Sequence, residues 1–309
     1  MRVVALRQFG GPEVLEVLEM PRPAAGPGEV LVRVQAATVN PTDLALRAGF
    51  RRPSLPPPYI PGMELSGVVA ELGAGVEGMG IDDEVMAIVS PMRPAGGAQA
   101  EFVPVPVASL APVPRGTPLV EAATLPMNGL TVRRALDLLG LRPGATLAVT
   151  GAAGAVGGYA IELGKLLGLR IAADAAPADE ELVRSLGADI VVPRGPEMAD
   201  ALRQAMPDGV DAVLDAALLG QAVLPAIRDG GQIAAVRPYQ GDTERGIAVR
   251  QVMVTDYIAN RQALAELGAM AAAGELTLRV AATFPPEQAA EAHRRLQAGG
   301  VRGRLVIVF

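Results

Sequence analysis

The chain has 309 residues, half of them hydrophobic, with a net charge of −6, no cysteine and no tryptophan. That length suits two domains or one large one. Aromatics make up only 3%, so the core must be built from Ala, Val, Leu and Ile. The acidic balance and the lack of any basic run argue against a nucleic-acid partner, and a chain without Cys forms neither disulfides nor thiolate metal sites. Met1–Gly11 carries charge and glycine rather than the apolar stretch of a signal peptide. No run of about 18 apolar residues offers a membrane span, so a cytoplasmic protein with no membrane partner is expected.

The first third reads as β-rich. Val30–Gln35 alternates apolar and polar, and Leu65–Leu72 and Val85–Val89 are further strand candidates. Gly/Pro punctuation at Pro21–Gly28, Pro53–Gly62, Gly73–Gly80 and Pro91–Gly97 separates them, which suggests a small barrel-like domain. From about residue 119 the period changes. Apolar strands at 145–150, 169–174, 189–193, 211–217 and 231–237 alternate with helical patterns at 155–167, 178–186, 196–206 and 219–228. Strict alternation of strand and helix predicts a parallel sheet covered on both faces. The end is mixed: a helix near 256–273, a strand at 276–284, a helix at 286–297 and a final strand at 304–309. A strand at the extreme C-terminus fits a discontinuous domain in which the last strands rejoin the first third.

The strongest motif is Thr150-Gly151-Ala152-Ala153-Gly154-Ala155-Val156-Gly157, set between the apolar run Ala145–Thr150 and a helical pattern. A glycine-rich turn there lets the backbone approach a pyrophosphate, whose charge meets the N–H groups of the helix N-terminus. Asp174 closes the next apolar run, about 20 residues beyond Gly154, where a ribose-binding carboxylate belongs. The alternative, an incidental glycine turn, leaves that coincidence of strand, helix, strand and acid unexplained.

Further segments carry a resemblance. Gly11-Pro12-Glu13-Val14-Leu15, Val39-Asn40-Pro41-Thr42-Asp43, Pro61-Gly62-Met63-Glu64-Leu65-Ser66-Gly67, Asp83-Glu84-Val85, Gly97-Ala98-Gln99-Ala100-Glu101-Phe102, the glycine turn and Leu186-Gly187-Ala188-Asp189 follow one another along nearly the full length. In that order the chain resembles the medium-chain dehydrogenase/reductase superfamily, in its zinc-free quinone oxidoreductase branch. The resemblance implies an α/β chain in which a Rossmann parallel-sheet domain (119–261) accompanies a β-rich GroES-like catalytic domain (1–118, completed by 262–309). It also implies an active site in the cleft between them and a homodimer.

Zinc-dependent relatives place Cys where this chain has Asn40 and His where it has Met63. A carboxamide and a thioether are poor zinc ligands, and one His with no Cys assembles neither a catalytic nor a structural site. No metal is expected. The lone His293 reads as a partly exposed helical residue. Without a Lewis acid to acidify an alcohol, the easier reaction is hydride transfer to a quinone or a conjugated alkene, leaving an enolate for nearby donors to stabilise.

By the resemblance, Asn40 bonds nicotinamide ribose or substrate, although Asn-Pro is also ordinary turn chemistry. Asp43 reads as a helix cap or brace. Asn128 and Thr131 match the segment that faces the nicotinamide, with a helix cap as the alternative for Thr131. Ala235, Val236 and Arg237 lie near the nicotinamide, Arg237 being free to pair with a phosphate, an acidic substrate or solvent. Enoyl-thioester reductases of the superfamily carry a Tyr where this chain has Phe50, so Tyr59 in the proline-rich loop becomes the candidate proton donor, against a packing role. The cofactor is NADPH by the habit of the branch or NADH by the chemistry of Asp174, which repels a 2′-phosphate unless Arg170 or Arg237 offsets it. Three functions stay open: quinone or enone reduction, reduction of an enoyl thioester or biosynthetic intermediate, and a dinucleotide-binding protein without turnover.

Overall fold

A computed structural model describes all of residues 1–309. The chain begins with an antiparallel pair, β1 (Arg2–Ala5) and β2 (Glu16–Glu19). The long strand β3 (Glu29–Thr38) follows, then helix α1 (Pro41–Arg47) and strands β4 (Glu64–Leu72), β5 (Glu84–Ile88), β6 (Phe102–Pro106) and β7 (Leu110–Pro112). Alternation builds this part: Val30, Val32 and Val34 of β3 enter one core with Leu65, Val69, Val85, Val103 and Leu110. Asn40 precedes Pro41, which fixes the first helical φ of α1, and Asp43 completes a capping box with Asn40.

A short helix, α2 (Leu119–Ala122), leads to α3 (Pro126–Leu139). Strand and helix then alternate: β8 (Thr146–Thr150), α4 (Ala155–Leu166), β9 (Arg170–Ala175), α5 (Glu180–Ser185), β10 (Ile190–Pro193), α6 (Met198–Ala205), β11 (Val210–Asp215), β12 (Ile227–Ala235) and β13 (Ala248–Gln251). These six strands form one parallel sheet in the order β10-β9-β8-β11-β12-β13. The order reverses between β8 and its two neighbours, β9 and β11, which makes a crevice at their carboxyl ends. Helix α4 lies close on the sheet because it is glycine-rich: a Cβ on Gly164 would stand 2.6 Å from Cδ1 of Ile171.

The chain ends with α7 (Arg261–Ala272), β14 (Val280–Phe284), α8 (Ala289–Ala298) and β15 (Arg304–Val308). β15 pairs antiparallel with β3, Val306 opposite Thr38, and parallel with β14. The last strands therefore complete a seven-stranded sheet begun by the first third. Two compact units result: Met1–Met127 with Ile258–Gly274 and Leu278–Phe309, and Asn128–Tyr257 with Glu275–Thr277.

Several sequence expectations need correction. The segment 219–228 holds no α-helix, only a 3-10 turn over Gly220–Ala226 with Pro225 inside it, since proline removes a donor and clashes with the preceding turn. β12 accordingly starts at Ile227, with a register shift against β11, and ends at Ala235. The helix near 256–273 begins only at Arg261, where the Asn260 side chain accepts from the Ala263 N–H at 3.0 Å. The strand expected at 276–284 is confined to Val280–Phe284, because the N–H of Thr277 bonds the Glu162 carboxylate instead of a strand neighbour.

Candidate active site

In the second unit, the turn after β8 is shaped by three glycines. Gly151 has φ +65°, a region open to glycine at little cost. A Cβ on Gly157 would fall 2.3 Å from the Gly151 carbonyl oxygen and 2.6 Å from the Ala152 Cα, so α4 touches the turn backbone to backbone. Gly154 is the N-cap and brings no side chain to satisfy the first-turn N–H groups of α4, so these remain the natural partners of an anion. Ala153, Gly154, Ala155, Val156 and Gly157 all lie on this cradle. The ends of β8 and β11 are locked together: Thr150 Oγ1 donates to Asp215 at 2.7 Å and accepts from the Ala217 N–H at 2.8 Å. Asp215 further accepts from Leu219 N and Gly220 N at 3.0 and 2.8 Å.

Asp174, the fifth residue of β9, is only 2% exposed. Its Oδ1 accepts from the Ala152 N–H at 2.9 Å, so the buried acid braces the glycine turn. Burial pushes its carboxyl above the usual range, while the backbone N–H groups and Arg194 pull it down. Asp174 and Arg194 flank a cavity of about 190 Å³ floored by Met198, Ala199, Leu219 and Val223. Ala235, Val236 and Arg237 line a separate cavity of about 360 Å³ with Asp215 and Tyr239. Arg170 does not belong here. It opens β9, four residues before Asp174, and at about 3.3 Å per residue lies some 13 Å away toward the other end of the strand. Asn128 and Thr131 are buried on α3, and Nδ2 of Asn128 has no hydrogen-bond partner.

In the first unit, Asn40 is fully buried and both ends of its amide are engaged. Nδ2 donates to Thr38 Oγ1 at 3.1 Å and to Glu64 at 3.3 Å, and Oδ1 accepts from Arg304 at 2.7 Å. Arg304 also donates to Glu64, whose second oxygen accepts from the Met127 N–H at 2.8 Å. Thr38, Glu64 and Arg304 escaped the sequence reading. The signal was present, since Arg304 is the one charged residue of β15 and Glu64 opens a strand whose next five residues are buried and uncharged. Asp43 accepts from Asn40 N at 2.8 Å and Gly62 N at 2.9 Å, and burial pushes its carboxyl up to about 7. Its place is that of a brace.

Tyr59 stacks on Phe9 with ring centroids 5.3 Å apart. It lines a cavity of about 380 Å³ walled by Pro53, Leu55, Pro56, Pro58 and Arg93. Phe50 is 86% exposed. His293 is not partly exposed, as its sequence setting suggests, but fully buried. Its helix buries the face Ala289, Ala292, His293, the helical core spacing, and Leu296 packs against the same cluster.

The comparisons with known proteins agree with this architecture. Residues 26–115 match the family described as alcohol dehydrogenase GroES-like domain, and residues 186–307 that described as zinc-binding dehydrogenase. A chloroplast envelope quinone oxidoreductase homolog of Arabidopsis thaliana is 33% identical over 74% of this chain and 72% of its own length. The chain belongs to the quinone-oxidoreductase type of the medium-chain dehydrogenase/reductase superfamily. It is similar also to the Arabidopsis thaliana NADPH-dependent alkenal/one oxidoreductase, at 32% identity over 76% of this chain and 62% of that one. A solved NAD-dependent alcohol dehydrogenase superposes with TM-score 0.90 at 34% identity, covering 100% of both chains. As a member of this superfamily the chain is an oxidoreductase. One family description names zinc; by the resemblance Asn40 and Met63 stand at that metal's ligand positions, where a carboxamide and a thioether fit it poorly, Glu64 is held by Arg304, and the single His is on α8. No helix is long and apolar enough to cross a membrane.

Proposed function

We propose that this chain is a zinc-independent, NAD(P)H-dependent oxidoreductase that reduces quinones, enones or similar activated alkenes. The observation that carries the reading is the cradle of Gly151, Gly154 and Gly157 at the reversal point of the parallel sheet, where a Cβ at Gly157 would strike backbone. The nicotinamide, when bound, supplies the hydride. The protein's part is to hold and orient: the α4 N-terminus takes the pyrophosphate, Asp174 the adenosine ribose, and Ala235, Val236 and Arg237 the side toward the nicotinamide. Asn128 and Thr131, buried on α3, complete that side, and the unpartnered Asn128 Nδ2 is a donor free for the ligand.

The substrate class rests on donor chemistry and on kinship. Asn40 and Met63 leave nothing to acidify an alcohol, so a substrate already activated for hydride acceptance is favoured. The relatives named for quinones and for alkenals or enones are of that kind. For Asn40 the substrate-facing role gives way to a structural one, since both ends of its amide are taken. Tyr59 remains the candidate proton donor in the proline-walled cavity, alongside its stacking on Phe9. The test is a panel of quinones, enones, enoyl thioesters and simple alcohols assayed with NADH and NADPH, with and without a chelator. Turnover of quinones or enones that survives chelation is the expected result. Zinc-dependent alcohol oxidation without quinone or enone reduction overturns it.

A further inference from the structure

We infer that the chain accepts both NADH and NADPH, and that Arg194 is the residue that admits the 2′-phosphate. The inference rests on the dinucleotide-binding reading above and concerns the adenosine end of that site.

The backbone sets Arg194 in place. It directly follows the edge strand β10, whose Val192 pairs with Asp174, and its N–H bonds the Ala175 carbonyl at 2.9 Å. From there its side chain, 51% exposed, reaches over the buried acid, with Nε 3.9 Å from Asp174 Oδ2. That separation gives an ion pair without a hydrogen bond, and the guanidinium makes no hydrogen bond to any other group of the protein. A positive charge is thus held beside the acid while its N–H donors stay uncommitted, the fork geometry that matches a phosphate.

The surrounding cavity contains no competing charge. Of the residues lining its roughly 190 Å³, Arg194 is the only cation and Asp174 the only anion. The remainder are apolar side chains with Gly195 and Pro196, a surface suited to a flat purine. The other two arginines that a sequence reading offers for a phosphate are elsewhere: Arg170 begins β9 at its far end, and Arg237 lines the neighbouring cavity.

The two charged groups divide the work. Asp174 commits one oxygen to the Ala152 N–H and keeps the other for a ribose 2′-hydroxyl, as NADH requires. A carboxylate alone repels a 2′-phosphate. Here the Arg194 charge offsets that repulsion and its free donors bind the phosphate oxygens. Loss of Asp174 therefore weakens NADH, whereas loss of Arg194 exposes the acid and penalises NADPH.

The test measures binding rather than turnover. Calorimetric titration of the full chain with NADH, NADPH, AMP and adenosine 2′,5′-bisphosphate compares wild type, Arg194→Ala and Arg194→Lys. Wild type should bind NADH and NADPH within about tenfold of each other. Arg194→Ala should weaken NADPH and the bisphosphate by about tenfold or more, the size of a lost charge-assisted contact, and leave NADH and AMP within about twofold. Arg194→Lys should recover part of the loss, and added salt should shrink it. Equal weakening of all four ligands, no weakening of any, or a wild type that refuses NADPH overturns the inference while leaving dinucleotide binding intact. A wild type that binds none of the four removes the dinucleotide reading, and this inference with it.

Discussion

Acidification should destabilise this fold through His293, in an amount that its surroundings allow to be worked out. The imidazole is fully buried on α8, neither ring nitrogen has a hydrogen-bond partner, and Arg47 lies close by. Burial, and then the Arg47 charge, pull it down to about 3. In the unfolded chain a His takes its proton near pH 6.5. Below that pH the unfolded state binds a proton that the folded state refuses, so stability is fully present above about 6.5 and is lost as the pH falls toward 3. Each unit is worth at most about 1.4 kcal/mol, and the fall from pH 6.5 to 4.5 removes about 2–3 kcal/mol. Asp43 works in the opposite direction. With its carboxyl pushed up to about 7 from 3.8, the fold holds a proton that the unfolded chain releases, so its contribution strengthens as the pH falls across that window.

Because the two groups oppose each other, the informative quantity is the difference between wild type and His293→Leu, which removes one titration and leaves the other. Urea denaturation followed by circular dichroism at several pH values from 7 to about 4.5 provides it. The difference should move in the variant's favour by about 2–3 kcal/mol across the range. A difference that does not change with pH would show that His293 titrates alike in both states, and the burial argument would fail.

Three further outcomes are expected. Gly157→Val, whose Cβ would meet the Gly151 carbonyl at 2.3 Å, should abolish NADH and NADPH binding in a fluorescence titration; binding unchanged from wild type would place the cofactor elsewhere. Glu64→Gln leaves Arg304 buried without its counter-charge and should cost about 3–5 kcal/mol in urea denaturation, much of it recovered by replacing both residues with Leu and Met; a loss below about 1 kcal/mol would mean that the charge finds water. Prolonged dialysis against a chelator should leave quinone or enone reduction unchanged, and activity lost on chelation and restored by zinc would refute the zinc-independent proposal.

The parallel sheet was readable because each of its inner strands has an apolar centre (Leu147–Val149, Ile171–Ala173, Ala212–Leu214 and Ile233–Ala235), and because a strand, a glycine turn and a helix in that order have few other uses. What escaped was short or governed by partners distant in sequence. β1, β2 and β7 have four residues or fewer, too few to establish a period. The spacing of 219–228 is helical, but Pro225 lies within it and the proline prevails in the fold. His293 could have been placed in the core, because Ala289, Ala292, His293 and Leu296 keep helical core spacing; the charged neighbours Arg294 and Arg295 masked it. The Asp174–Arg194 pair needed the pairing of β9 with β10, which no local pattern specifies.

The buried set around Asn40 explains how a domain interrupted by a second unit closes in one register. β15 meets β3 through only three residue pairs, Val306–Thr38, Ile307–Ala37 and Val308–Ala36. So short a ladder specifies register weakly, and a slip of one residue would exchange its two faces. Leu305 and Ile307 would leave the core they share with Phe284 and Ala292, and Val306 would leave Ala36 and Ala123. Arg304 resists such a slip more sharply than apolar contacts can. It opens β15 where β3 ends at Thr38 and β4 begins at Glu64, and one of its nitrogens donates to Thr38, Asn40 and Glu64 together. Shifted by one residue, it would bury a charge without a partner, at a cost of several kcal/mol. The same contact orients the Asn40 amide, so the residue that by resemblance stands where zinc-dependent relatives carry a metal ligand is here part of the lock that joins the last strand to the first third of the chain.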